Sequence, residues 1–147
     1  MVTEANSVKV VNKVIPNKEQ IMGFLEPGPD GPICMVNLLK FKPLAEYDDG
    51  RSTELTGREA YAVYEQGVKK LLKEVGGSIG FEGDVERLAL GEVEDLWDVV
   101  ALAVWPSRQV MLEVMQSEAM GEISVHRAAG LAGQLNIETA AFTGDWL

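Results

Sequence analysis

The sequence has few of the residues that hold metals or form covalent cross-links. Cys34 is its one cysteine and His126 its one histidine among 147 residues. A single cysteine excludes an intrachain disulfide and a cysteine-based zinc site, and no His-x-x-x-His or calcium-loop spacing is present. Haem ligation through His126 is the one metal-cofactor alternative. We expect no metal and no cofactor.

Basic residues are also scarce. Thirteen lysines and arginines stand against 23 aspartates and glutamates, so the net charge is −10. Binding to a nucleic-acid backbone or to an anionic membrane surface needs clustered positive charge. No apolar run approaches the roughly 20 residues that span a bilayer, and the first twelve residues lack the features of a signal peptide. These absences predict a cytoplasmic protein with no nucleic-acid or membrane partner.

The sequence does have enough apolar residues for one core, at 46% of the total. Its length is that of a single ordinary domain. Three prolines and two glycines between Glu26 and Pro32 form a turn segment. We therefore expect an N-terminal extension at residues 1–32, with a possible short helix capped by Asn17, and one domain at residues 33–147.

Within the domain, apolar periodicity predicts two helical regions and four strands. Thr56 and Glu59 have the spacing of a capping box, which marks the start of the first helix. The predicted elements are a strand at 33–42, a helix from Thr56 to Gly76-Gly77, strands at 78–90 and 99–105, two helical pieces begun by Ser107 and Ser117 and closed by Gly133, and a strand at 135–143.

This order, β-α-β-β-α-β, is that of the ferredoxin-like α+β fold, in which helices cover one face of a four-stranded antiparallel sheet. The strands at 33–42 and 99–105 are apolar on both faces, so the second face must also be covered. The same face of a second copy is the simplest cover. The sequence thus predicts a homodimer through sheet faces, a dimeric α/β barrel.

Polar residues in apolar surroundings are the candidate site. Asn37 interrupts an apolar strand, and a buried amide requires hydrogen-bond partners. His126 is the candidate catalytic residue, because histidine titrates near neutral pH; a structural histidine is the alternative. The candidate ligand-binding residues are Asn37, Arg58, Tyr61, Tyr64, Trp97 and Arg127, for which core packing and salt bridges are the alternatives.

One further pattern, Gly76 to Gly80, matches the G-x-S-x-G nucleophile motif, and Asp98 and His126 follow it. That motif needs a strand before it and a helix after it. Here a helix precedes and a strand follows, so the glycines mark a helix end and a strand start.

Four segments together resemble the domain-of-unknown-function 1330 family, over residues 33–142. They are Met35–Phe41 (MVNLLKF), Gly57–Tyr61 (GREAY), Trp97-Asp98 before an apolar strand that closes in Pro106-Ser107-Arg108, and His126–Leu131 (HRAAGL). The resemblance implies the dimeric α/β-barrel superfamily. That superfamily includes cofactor-free monooxygenases, lactone isomerases, haem enzymes and binding proteins, so the fold does not fix the function.

Two functions stay open. The first is a metal-free enzyme of isomerase or monooxygenase type that acts on a small oxygenated organic acid or phenol. In it His126 moves a proton, Asn37 or a tyrosine holds an oxyanion, and Arg58 or Arg127 anchors a carboxylate. The second is a dimer that binds or senses a small molecule without chemistry. Convergence of His126, Asn37 and a tyrosine on one cavity is the observation that separates a ligand site from a filled core.

Overall fold

The computed structural model describes residues 10–144. The predicted extension and the predicted domain each reach into residues outside this range. The elements are α1 (Lys18–Phe24), β1 (Ile33–Phe41), α2 (Gly57–Glu74), β2 (Ser78–Asp84), β3 (Val99–Trp105), α3 (Arg108–Met115), α4 (Glu118–Gly130) and β4 (Leu131–Ala140).

The four strands form one sheet in the order β2-β3-β1-β4, and every neighbouring pair is antiparallel. After α1, the chain follows the order β-α-β-β-α-β, with the second helical region divided into α3 and α4. The main core lies between the helices and one face of the sheet, and Trp105, Ile33, Leu39, Leu72 and Leu131 are its fully buried large side chains. The predicted ferredoxin-like fold is confirmed.

Side-chain caps explain where the helices begin. The Glu59 amide donates to Thr56 Oγ1 and the Thr56 amide to Glu59 Oε1, which is the predicted capping box of α2. Asn17, Ser107 and Ser117 cap the other three helices through their own side-chain oxygens. Each cap satisfies an amide that has no partner inside the helix.

The predicted strand at 78–90 is too long. β2 ends at Asp84, which pairs with Val99, the first residue of β3. After the hydrogen bond from the Val85 amide to the Asp98 carbonyl, the chain has no strand beside it and becomes a loop. The alternation of residues alone therefore predicts a strand longer than its partner, β3, can pair with. β1 ends one residue earlier than predicted, at Phe41.

The junction between α4 and β4 also differs from the prediction. α4 ends at Gly130 rather than Gly133, and β4 follows at once from Leu131. Gly130 is held at the crossing of α4 with α2, where a Cβ atom would lie 2.9 Å from the Tyr61 amide nitrogen. The lack of room for a side chain at that crossing, rather than a turn, therefore explains why residue 130 is a glycine.

A β-bulge follows directly after the junction. Leu39 pairs with Gln134, but Phe41 pairs with Leu131, so Ala132 is an extra residue in β4. Without the bulge, residues three apart would lie on opposite faces of the sheet. With it, Leu131 and Gln134 both lie on the helix-covered side.

The opposite side of the sheet carries apolar residues that pack against neither core cluster. We call it the open face; it comprises Val36, Leu38, Phe81, Val100, Leu102, Val104, Leu135 and Ile137. Ile137 is 46% exposed and Phe81 49% exposed.

Residues before β1 pack along the free edge of β4. The Lys13 amide donates to the Gln134 carbonyl at 3.1 Å, and Val14 and Phe24 contact the main core. Among residues 10–144, no helix is long and apolar enough to cross a bilayer.

Candidate functional site

A chain of hydrogen bonds crosses the interface between α4 and the sheet. Arg127 Nη2 donates to Gln134 Oε1 at 2.7 Å, and Gln134 Nε2 donates to Asn37 Oδ1 at 2.8 Å. Asn37 Nδ2 in turn donates to the carbonyls of Met35 and Ala101 at 3.2 and 3.3 Å. We call Arg127, Gln134 and Asn37 the polar chain. It fixes the orientation of one guanidinium against the helix-covered side of the sheet.

The backbone explains why these three residues meet. Asn37 lies on the helix-covered side of β1, between Met35 and Leu39. The bulge turns Gln134 to the same side, where its residue is 7% exposed. Both amides need partners at such burial, and each supplies one to the other.

Arg127 is half-buried and has no carboxylate within ion-pair distance among residues 10–144. Three of the other four arginines are neutralised: Arg58 by Asp84, Arg108 by Glu138 and Arg51 by Asp49. The fourth, Arg87, is exposed to solvent. The one described hydrogen-bond partner of Arg127 is the neutral amide of Gln134. The guanidinium therefore keeps its full charge and further N–H donors.

Tyr61 and Tyr64 lie beside the polar chain on the buried face of α2. Their ring centroids are 5.3 Å apart, and each residue is 8% exposed. Burial raises the pKa of both hydroxyls, and the charge of Arg127 counters this in part, which places the guanidinium within electrostatic reach of both. No described residue hydrogen-bonds to either hydroxyl. Both therefore remain protonated donors at neutral pH.

Glu82 lies in the same row across the sheet. It pairs with Ala101 of β3, which pairs with Asn37 of β1. Partial burial and the nearby Glu65 carboxylate raise the pKa of Glu82 to about 7. A carboxyl group of this kind is about half protonated at neutral pH.

His126 lies apart from the polar chain that contains Arg127. Its Nδ1 atom is 2.7 Å from Tyr47 Oη, and the two rings meet edge to face at 5.5 Å. Tyr47 belongs to the loop between β1 and α2. A cleft of about 300 Å³ beside this pair is lined by Tyr47, Asp48, Asp49, Ser124, Val125 and Ala128.

Arg58 and Trp97 are also apart from the polar chain. Arg58 forms an ion pair with Asp84, and its guanidinium lies 5.7 Å from the centroid of the Phe41 ring. Trp97 Nε1 donates to Asn12 Oδ1 at 2.6 Å, in the N-terminal extension. Of the predicted site residues, the structure brings together Asn37, Tyr61, Tyr64 and Arg127.

Two residues of these sites were missed by the sequence analysis. Gln134 reads as an ordinary strand residue, and only the bulge makes it face Arg127. Tyr47 had one usable signal, since it is the one aromatic residue of a long polar loop. Within residues 10–144, no group of three histidine, cysteine or acidic residues is arranged to hold a metal ion.

Comparison with known proteins gives one strong likeness. No protein-family model matches the chain, and no curated protein matches it. Two crystal structures of RPA0582 match the chain. The methylated form is 30% identical over 92% of this chain and 99% of its own, with a TM-score of 0.81. The other, described as a protein of unknown function from Rhodopseudomonas palustris, is 29% identical over 91% and 100%, with the same TM-score.

A more remote likeness is to a DABB family protein with a ferredoxin-like fold from Mesorhizobium loti. It is 8% identical over 78% of this chain and all of its own, with a TM-score of 0.46. The likeness to RPA0582, in contrast, spans nearly the whole of both chains, and on that ground this protein belongs to the RPA0582 family.

Proposed function

We propose that the protein is a homodimer of the domain-of-unknown-function 1330 family and the dimeric α/β-barrel superfamily, and that it binds a small organic carboxylate beside Arg127. The observation that carries the proposal is the half-buried Arg127 with no carboxylate partner among the described residues. Removing a charge from water is costly unless an opposite charge compensates it. A carboxylate ligand supplies that charge.

The hydrogen-bonding groups around Arg127 favour the same kind of ligand. Gln134 occupies Nη2, which leaves Nε and Nη1 with no described partner. The hydroxyls of Tyr61 and Tyr64 are donors as well, because burial keeps them protonated. A set made only of donors is complementary to an oxyanion, and arginine binds carboxylates with charge-assisted bonds.

The rings of the two tyrosines form a small aromatic group with Phe41. Tyr61 lies 5.4 Å from Phe41 and 5.3 Å from Tyr64, measured between ring centroids. Such rings offer apolar contact to the body of a ligand whose charged end is held by the guanidinium. The ligand class is therefore a partly apolar acid, such as an aromatic carboxylate.

These contacts favour binding over catalysis at this position. The guanidinium, the protonated phenols and the hydrogen-bonded amides do not accept a proton at neutral pH. Glu82 titrates in the same row of the sheet, and its carboxyl group interacts with Glu65. The isomerase or monooxygenase alternative assigned the role of base to His126, and His126 Nδ1 contacts Tyr47 instead of this site.

Titration calorimetry with three probes tests the proposal: benzoate, 4-hydroxybenzoate and the neutral benzamide. We expect both carboxylates to bind more tightly than benzamide. Arg127→Gln should weaken carboxylate binding about tenfold or more, because hydrogen bonds to charged groups contribute about 1.5–3 kcal/mol.

Arg87→Gln is the matched control, since Arg87 is exposed in the loop after β2 and the same charge is removed. It should leave the affinity unchanged. Equal binding of benzoate and benzamide, or equal affinity of wild type and Arg127→Gln, would overturn the proposal.

A further inference from the structure

The single histidine of the chain is hydrogen-bonded to one of its three tyrosines. Tyr47 Oη lies 2.7 Å from His126 Nδ1, and the rings are nearly perpendicular, at 84°. When the imidazole proton is on Nε2, Nδ1 accepts the phenolic hydrogen. A hydroxyl bonded to a base in this way has the arrangement of an activated nucleophile.

The loop that carries Tyr47 is fixed to the rest of the fold. The Glu46 amide donates to the Ala129 carbonyl at 3.0 Å, and the Ala45 amide to the Leu55 carbonyl at 3.0 Å. Ala45 and Ala129 also share a small apolar cluster against which the Tyr47 side chain packs. The fold therefore preorganises the pair.

An arginine side chain lies over the ring of Tyr47. The Arg51 guanidinium is 4.6 Å from the ring centroid and is itself hydrogen-bonded to Asp49. Because Arg51 is ion-paired with Asp49, this contact holds the Tyr47 ring in position beside His126. No such base or cation over the ring accompanies Tyr61 or Tyr64 among the described residues.

The adjoining cleft indicates the ligand class. Its volume is about 300 Å³, which suits a small molecule. Val125 and Ala128 form an apolar wall, whereas the Asp48 carboxylate, which has no ion-pair partner among the described residues, repels anions from the opening. The cleft therefore favours an uncharged ligand, in contrast to the carboxylate proposed at Arg127.

We propose that Tyr47 and His126 form an activated-tyrosine site for small uncharged acyl compounds, independent of the carboxylate site at Arg127. Tyr47 Oη forms a bond to the acyl carbon, and its proton passes to His126 Nδ1. The bond from that carbon to the leaving oxygen breaks, and the imidazolium returns the proton to the departing alkoxide. The products are an acyl-tyrosine and an alcohol, and no electrons are exchanged with a further reagent.

Covalent labelling with benzenesulfonyl fluoride tests this proposal. Tyr47 Oη attacks the sulfur, fluoride leaves, and His126 takes the phenolic proton. Peptide mass spectrometry measures the labelling rate of each tyrosine separately. We expect Tyr47 to react about a hundredfold faster than N-acetyltyrosinamide in the same buffer, whereas Tyr61 and Tyr64 stay unlabelled.

Two variants separate activation from simple exposure. His126→Gln keeps a hydrogen-bond acceptor for Tyr47 but removes the base, so it should slow labelling about a hundredfold. Glu122→Ala, an exposed change on the same helix, should leave the rate unchanged. Labelling of Tyr47 no faster than that of N-acetyltyrosinamide, or an equal rate in His126→Gln, would overturn the proposal whatever the outcome of the benzoate titrations.

Discussion

Glu82 shows how one side chain couples the fold to pH. Its carboxyl pKa is raised to about 7 by partial burial and by Glu65, while Lys69 and Arg58 counter the shift. Tyr61 faces it from α2, and Asp84 follows on its own strand. In the unfolded chain the carboxyl group returns to its ordinary value near 4.5. The folded protein therefore binds more protons than the unfolded chain between these two values.

It follows that the free energy of unfolding should decrease as the pH rises from about 4.5 to about 7, and should then level off. Urea unfolding at pH 5 and pH 7.5 measures this difference. Glu82→Gln should reduce it, because the amide does not titrate. Glu86→Gln, at an exposed position in the following loop, should retain it. The same pH dependence in Glu82→Gln and wild type would contradict this assignment.

At the scale of residues, the sequence predicts candidate site residues but not which of them contact one another. A polar residue inside an apolar strand marks Asn37, and a cation in a small apolar stretch marks Arg127. Gln134 connects the two by hydrogen bonds, and its orientation depends on a bulge that no residue pattern predicts. His126 and Arg127 are adjacent in the sequence, yet successive helical residues point about 100° apart. Only the positions of the loop and the sheet decide which of them meets Tyr47.

At the scale of elements, the crossing of α2 and α4 sets the position of the polar chain. Gly130 lies against the Gly57 carbonyl and the Tyr61 amide, so the two backbones meet without an intervening side chain. The same close approach places Arg127 over the sheet and beside Tyr61. Gly67, opposite Ile123, extends the contact along both helices.

Gly130→Ala should therefore destabilise the protein by about 1–3 kcal/mol, because the new methyl group must push α2 and α4 apart. Gly121→Ala is the matched change on the same helix. A Cβ atom there meets nothing within 4 Å, so alanine should stabilise the protein by up to about 1 kcal/mol. Chemical denaturation measures both. A loss of stability in Gly121→Ala equal to that in Gly130→Ala would contradict the role of the crossing.

Helix starts could be predicted from the sequence, and strand ends could not. A cap such as Thr56 acts on amides three residues away, so the signal is local. A strand ends where its partner ends, as β2 does opposite Val99. The small residues around Gly130 and Gly133 fit both a helix end and a strand, and the tertiary contact with α2 decides between them.

At the scale of the whole molecule, the open face is the feature that the monomer does not explain. Its apolar residues cover the side of the sheet opposite the helices. A stable interface buries about 800 Å² on each partner, and two sheets commonly pack face to face about 10 Å apart. A second copy of the chain provides such a sheet with the same chemistry.

Sedimentation equilibrium should accordingly give twice the chain mass of 16.0 kDa. Ile137→Lys should shift the protein to monomer, because it places a charge in the apolar interface. Val63→Lys is the control, since Val63 is 43% exposed against 46% for Ile137 but lies on α2. A monomeric wild type, or equal masses for the two variants, would contradict the dimer.

The bulge at Ala132 also limits how this region can change in length. One residue added or removed between Gly130 and Gln134 would reverse the alternation of β4, because side chains alternate between faces. Gln134 would then leave Arg127, and Leu135 would enter the core in its place. In the loops at residues 43–55 and 85–98, side chains do not alternate between two faces, so a change in length has no such effect. Insertions and deletions among homologues should therefore collect in those loops and be absent from residues 131–133.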